Sequence, residues 1–125
     1  AFPQLAASVS ERSRAVEAAG YHAQVHLEAD TSYFFLLEEG QRLSLKFRQG
    51  SFVNGKRSWN AAELASRAAE ISPNALLRPV LQDYLLPTVC LVGGPAEIAY
   101  LAQSAPIYES LLGRSPVFLP RAGFT

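Results

Sequence analysis

Apolar positions follow a helical period at the start of the chain, a period near two through the middle, and a helical period again after Trp59. Leu5, Val9, Arg12, Val16 and Ala19 fall at steps of four and three, the spacing of one helical face. They predict a helix over about Pro3–Ala19, with Arg12 interrupting its apolar stripe. Gly20 is placed to end it, because glycine enters the left-handed region without a side-chain clash. From Tyr21 to Trp59 the pattern turns strand-like. Val25 and Leu27 share a side, and Tyr33–Leu37 is aromatic and apolar throughout, as suits a strand covered on both faces. Leu43, Leu45 and Phe47 alternate with polar neighbours, and Phe52-Val53 follows. Turn signals stand at Glu39-Gly40-Gln41, Gln49-Gly50 and Asn54-Gly55, the last a favoured hairpin pair. The segment 21–59 therefore reads as an antiparallel meander of three or four short strands, an insertion or edge extension beside the rest.

Asn60, with Glu63 three residues on, fits a capping box, and Leu64, Ala68 and Ile71 continue at helical spacing. Ser72-Pro73-Asn74 breaks that helix. A further helix is expected from Arg78, with Pro79 in its first turn and Pro87 as its stop. Thr88–Val92 is a short continuous apolar run, the mark of a buried strand. Gly93-Gly94 then turns into a helix through Ala102 with Pro95 at its first position. Ser104-Ala105-Pro106 opens another helix, through Leu112 to Gly113, and Pro116–Pro120 resembles a second buried strand. Strand, helices, strand is a βαβ unit, which implies a parallel pair in an α/β sheet; residues 60–125 form the expected core.

The chain has 125 residues, room for one domain. With 49% apolar and 18% charged residues it lacks the composition of a disordered chain. Eleven basic residues balance eleven acidic ones, so the basic excess behind phosphate-driven nucleic-acid binding is missing. No apolar run approaches the roughly 20 residues of a membrane span, and the start does not read as a secretory signal. Cys90 is the only cysteine, which excludes an intrachain disulfide and a multi-thiolate zinc site. A reducing, cytoplasmic setting is expected. The sequence contains no methionine and reads as a piece of a longer protein.

Candidate chemistry gathers at strand ends. The turn Val92–Glu97 follows a presumed central strand, where open α/β sheets place ligands. Gly93 and Gly94 allow close backbone approach, and the following helix offers unpaired N–H groups near Gly94. Neither the dinucleotide glycine pattern nor a lysine-containing phosphate loop is matched. The bland alternative is a tight connection, with Glu97 favouring its own helix dipole. Arg78 and Gln82 share a helical face beside Asp83, and Arg78 offers a planar fork for a carboxylate or phosphate. Its alternative is an internal salt bridge to Asp83 or Glu97. Arg121, after Pro120, could meet an anion or be a solvated terminal charge. His22 and His26 have too few companions for a metal site, and Cys90 reads as a small buried hydrophobe. No metal is expected.

The run Ser72–Thr88 (SPNALLRPVLQDYLLPT), continued by Val92–Tyr100 (VGGPAEIAY), resembles the cysteine-adding enzyme family of bacillithiol biosynthesis. Gly20-Tyr21-His22 with Gln24 upstream, and Val117–Arg121 with Phe124-Thr125 downstream, support it. The resemblance covers essentially the whole chain. It implies an internal fragment of a Rossmann-like three-layer core, within a longer protein carrying a coiled coil through which it could form a homodimer. It further implies a ligase that joins cysteine to glucosaminyl-malate, a nucleotide (ATP or ADP) used by the full protein, and an isolated stretch that binds none and is inactive. The alternative is a non-catalytic module that binds a small acid or a partner. Under the resemblance Asn74, Arg78, Gln82, Gly93, Gly94, Glu97, Tyr100 and Arg121 form one substrate cleft, with Arg78 and Arg121 as carboxylate or phosphate partners. Glu97 would bind an amine or orient Arg78, and no residue is assigned as catalytic acid or base. Ala96 stands where many relatives carry a glycine.

Overall fold

The computed structural model describes residues 2–123. Phe124 and Thr125, two of the residues that carry the resemblance, lie outside them. Helix α1 (Phe2–Ala18) ends with Gly20 at φ 88°, as its glycine foretells. Ala6 and Val9 are buried, while Arg12 faces outward. The face is thus set by Phe2, Leu5, Ala6, Val9 and Val16, one step away from the stripe that included Arg12.

The meander is β1 (Thr31–Glu38), β2 (Gln41–Arg48), β3 (Ser51–Asn54) and β4 (Arg57–Trp59), joined by the turns expected from their glycines. Val25 and Leu27 do not join it. They lie in irregular chain held by the buried Gln103, whose Oε1 accepts from the N–H groups of Gln24 (3.0 Å) and Val25 (3.1 Å). Its Nε2 donates to the Val25 carbonyl at 2.9 Å. One side chain so occupies the backbone groups a strand partner would have used.

The capping box forms: Asn60 Oδ1 accepts from the Glu63 N–H at 2.8 Å, and Glu63 Oε2 from the Asn60 N–H at 2.7 Å. Helix α2 (Ala61–Ser66) is shorter than the periodicity suggests. A 3₁₀ turn over Ala68–Glu70 follows, and Ile71 begins β5 (Ile71–Pro73), antiparallel to β1 with Ile71 opposite Leu36. Ile71 serves the sheet instead of the helix. The antiparallel order is β4-β3-β2-β1-β5, so the sheet continues past Trp59. One of its faces buries Leu36, Leu45 and Trp59 against Leu64 of α2.

Helix α3 (Arg78–Leu85) starts at the expected residue, with Pro79 in its first turn. Strand β6 (Cys90–Gly93) leads through Gly94 to α4 (Pro95–Leu112), and β7 (Val117–Pro120) pairs with β6 in parallel. The βαβ unit is therefore present. The two helices expected over Pro95–Leu112 are one, continuous through Pro106. An internal proline costs about 3 kcal/mol. Burial of Leu101, Gln103 and Ser104 before it, and of Ile107 and Tyr108 after it, fixes both halves on the core. That core joins Val9 of α1, Tyr33 of β1, Leu76, Val80 of α3, and Ile107 and Tyr108 of α4. The parallel strands differ from expectation in burial. Val92 (61%) and Val117 (58%) are widely exposed, and so is Cys90, because α4 packs on the pair while these side chains have no layer over them among the described residues.

Candidate functional site

A cleft of about 900 Å³ opens between the antiparallel sheet and the α3–α4 side of the molecule. Asn74, immediately after β5, anchors it. Its N–H donates to the Tyr33 carbonyl (2.8 Å), and its Oδ1 accepts from the N–H groups of Leu76 (3.1 Å) and Leu77 (3.0 Å). The carboxamide is thereby fixed in orientation, leaving Nδ2 as its free donor. Asn74 is only 7% exposed, and Nδ2, itself enclosed, has no hydrogen-bond partner among the described residues. A buried donor without an acceptor is costly.

Arg78, the first residue of α3, lines the same cleft, with Gln82 one turn further along. The Arg78 N–H donates to the Asn74 carbonyl (3.0 Å), and Nη2 reaches the Pro73 carbonyl at 3.3 Å. Neither Asp83 nor Glu97 forms the salt bridge considered from spacing. Asp83 is buried, accepts from the Thr88 N–H at 2.6 Å, and pairs with Arg114 at 2.7 Å. Among the described residues Arg78 has no carboxylate within 4.0 Å.

Glu97 and Tyr100 of α4 complete that side. Glu97 Oε2 accepts from the Gly94 N–H at 2.7 Å, capping its own helix and occupying a donor that an anion would otherwise meet. Gly93, Gly94 and Arg121 stand around Glu97 and do not line the cleft itself. A methyl at Gly93 would lie 3.0 Å from Glu97 Cβ, and one at Gly94 would lie 3.1 Å from Arg121 Nη2. The two glycines thus serve close packing of strand, helix and arginine. The Arg121 N–H closes the parallel ladder on the Gly93 carbonyl at 2.8 Å. The turn accommodates Ala96, which is exposed.

The structure so brings Asn74, Arg78, Gln82, Glu97 and Tyr100 to one cavity and sets Gly93, Gly94 and Arg121 behind Glu97. Residues not picked out from sequence form the opposite wall: Phe35, Arg42 and Ser44, with His26 at the rim. Their signal was the alternation in β2, which puts Arg42 and Ser44 on the side opposite Leu43 and Leu45. His22 and His26 are exposed in irregular chain, four residues apart but on no common element.

A parallel βαβ unit with a glycine turn at the strand end, and a cleft beside it, defines a Rossmann-like α/β domain. The family model described as "Bacillithiol biosynthesis BshC, N-terminal Rossmann-like domain" matches residues 1–122, and the chain belongs to that family. Curated relatives carry the name "Putative cysteine ligase BshC". That of Solibacter usitatus (strain Ellin6076) is 54% identical over 125 residues, covering 100% of this chain and 24% of the relative. That of Koribacter versatilis (strain Ellin345) is 40% identical over 126 residues, 98% of this chain and 24% of the relative. That of Chloroherpeton thalassium is 37% identical over 131 residues, covering 99% and 23%. The chain spans about a quarter of the length of the relatives it matches.

Proposed function

We propose that the full protein carrying this chain is a carbon–nitrogen ligase of bacillithiol biosynthesis that joins cysteine to glucosaminyl-malate, and that the Asn74–Arg78 cleft holds a carboxylate of a substrate. The observation that carries this reading is a cleft lined by the Arg78 guanidinium, which has no carboxylate within 4.0 Å among the described residues. A carboxylate is acceptor-only and would take the fork of Arg78 in bidentate fashion. Family membership and the relatives' names supply the reaction class. Forming an amide from a carboxylate and an amine formally removes water and needs an activated acyl group, for which a nucleotide is the expected source. Binding, not proton transfer, is the role of Arg78 here, and Asn74 fixes the start of α3 that carries it.

Steady-state kinetics of the full protein test this with cysteine and glucosaminyl-malate as variable substrates. Arg78→Ala is expected to lower kcat/KM for one of them about ten- to a hundredfold, the worth of a charge-assisted hydrogen bond of about 1.5–3 kcal/mol. Arg78→Lys restores the charge but not the fork, and so recovers little. Unchanged kcat/KM for both substrates in Arg78→Ala refutes the site.

A further inference from the structure

The chain between α1 and β1 is a strap that borders two cavities. Val25, His26 and Leu27 line the cleft that holds Arg78, and the same three residues line a second cavity of about 450 Å³ against α1. Val25 and Leu27 touch the core, but among the described residues no backbone–backbone hydrogen bond reaches residues 23–27. Gln103 of α4, fully buried, holds the strap instead. Its Oε1 accepts from the Gln24 and Val25 N–H groups. Its Nε2 donates to the Val25 carbonyl and, at 3.1 Å, to Ser13 Oγ of α1. Both lone-pair sites and both N–H donors of the carboxamide are thus used, and a buried network so complete admits one arrangement. The next residue, Ser104, is also fully buried and donates to the Leu76 carbonyl at 2.9 Å. That carbonyl belongs to the turn that Asn74 organises and from which α3 and Arg78 start. Adjacent residues of one helix so grip both the strap and the origin of α3, while Tyr100 and Leu101 of the same helix line the cleft.

We propose that Gln103 is a positioning residue of the substrate cleft: by holding Gln24 and Val25 it sets where Val25, His26 and Leu27 stand relative to Arg78. This inference rests on the proposal that the cleft binds substrate, and it gives Gln103 no contact with the substrate itself. Packing alone does not call for a carboxamide here. An apolar side chain of similar size would fill the same space, but it would leave the strap's N–H and C=O groups without partners and the wall free to shift. Substrate would then have to order that wall each time it enters, a cost that falls on KM and not on the chemical step.

Gln103→Met in the full protein removes every one of these hydrogen bonds with little change of volume. Steady-state kinetics with cysteine and glucosaminyl-malate should show KM raised about tenfold for one of them, with kcat kept within about twofold. A role confined to stability would do the reverse, since fewer folded molecules lower kcat per total protein and leave KM alone. Ser13→Ala deletes only the bond to α1 and should keep KM within about twofold of wild type. Hydrogen exchange adds a measurement on the wild type: residues 22–27 should exchange more slowly once cysteine and glucosaminyl-malate are added. In Gln103→Met the Gln24 and Val25 amides should lose protection while β1 and β2 keep theirs. Unchanged KM in a folded Gln103→Met, an equal rise of KM in Ser13→Ala, or wild-type exchange of 22–27 indifferent to both substrates overturns the inference. Should Gln103→Met not fold, the wild-type exchange decides. If Arg78→Ala lowers kcat/KM but Gln103→Met leaves KM unaltered, the carboxylate cleft stands and the positioning role falls. If Arg78→Ala alters nothing while Gln103→Met raises KM, the carboxylate reading falls and the positioning role stands; if neither variant has an effect, both fall.

Discussion

In the five-stranded antiparallel sheet Leu36, Leu45 and Trp59 are buried beneath α2, and Glu38 holds Arg57 and Arg67 at its edge. In the parallel pair β6–β7, Val92, Val117 and Leu119 remain exposed, with Val89 just before β6 at 86%. Both contain short apolar strands, but they reach different ends. Strands β1 to β4 are joined by tight hairpins and find their cover nearby. A parallel pair needs a crossover, and such strands belong to sheets covered on both faces. The candidate site draws one wall from each region. Arg42 and Phe35 come from the locally completed sheet, whereas Glu97 and Tyr100 come from α4, which packs on the less covered pair, and Arg78 from α3, which packs on α4.

Three substitutions separate the two regions. The largest effect is expected from Asp83→Ala. Asp83 tethers the approach to β6 through the Thr88 N–H and holds Arg114, so its loss orphans a backbone donor and a cation; a cost of about 3 kcal/mol follows. Urea denaturation should read that loss, and hydrogen exchange should show faster opening of β6 and β7 with β1 and β2 unchanged. Uniform loss of protection would mean that the regions open as one. Next is Gly93→Ala, whose new methyl meets Glu97 Cβ at 3.0 Å and pushes strand from helix, costing about 1–3 kcal/mol. A cost within the error of denaturation would show that α4 yields freely.

The smallest effect belongs to the antiparallel region and depends on pH. The Arg57 guanidinium, by hydrogen bonding to Glu38 and assisted by Arg67, holds that carboxyl at about 2, below its ordinary 4.5. A lowered pKa means that stabilisation is fully present above about pH 4.5 and is lost as pH falls through about 2. In Glu38→Gln the stability curve should flatten over that window, measured by thermal melts between pH 5 and pH 2. Identical slopes in the variant and wild type would remove Glu38 from the account.

Features decided by neighbouring residues were legible in the sequence. The turn glycines, the Asn60–Glu63 capping box and the start of α3 at Arg78 need only local chemistry. Long-range packing decided the rest. Ile71 has helical spacing but pairs with Leu36 of a distant strand, and α4 runs through Pro106 because both of its halves are buried. Apolar runs announce an appetite for burial, not the presence of a covering layer, so Cys90 and Val92 were expected inside and stand outside. The same limit applied to the site. Arg78 and Gln82 follow from a helix face, Glu97 from a strand-end turn and Tyr100 from the family resemblance, whereas Arg42 joins them only once the meander is folded over the cleft.

The most direct measurement is a structure of the full protein with glucosaminyl-malate bound. The account predicts a substrate carboxylate within hydrogen-bonding distance of the Arg78 guanidinium, about 2.7–3.2 Å. Substrate bound elsewhere, with the Arg78 guanidinium facing an empty cleft, would contradict it.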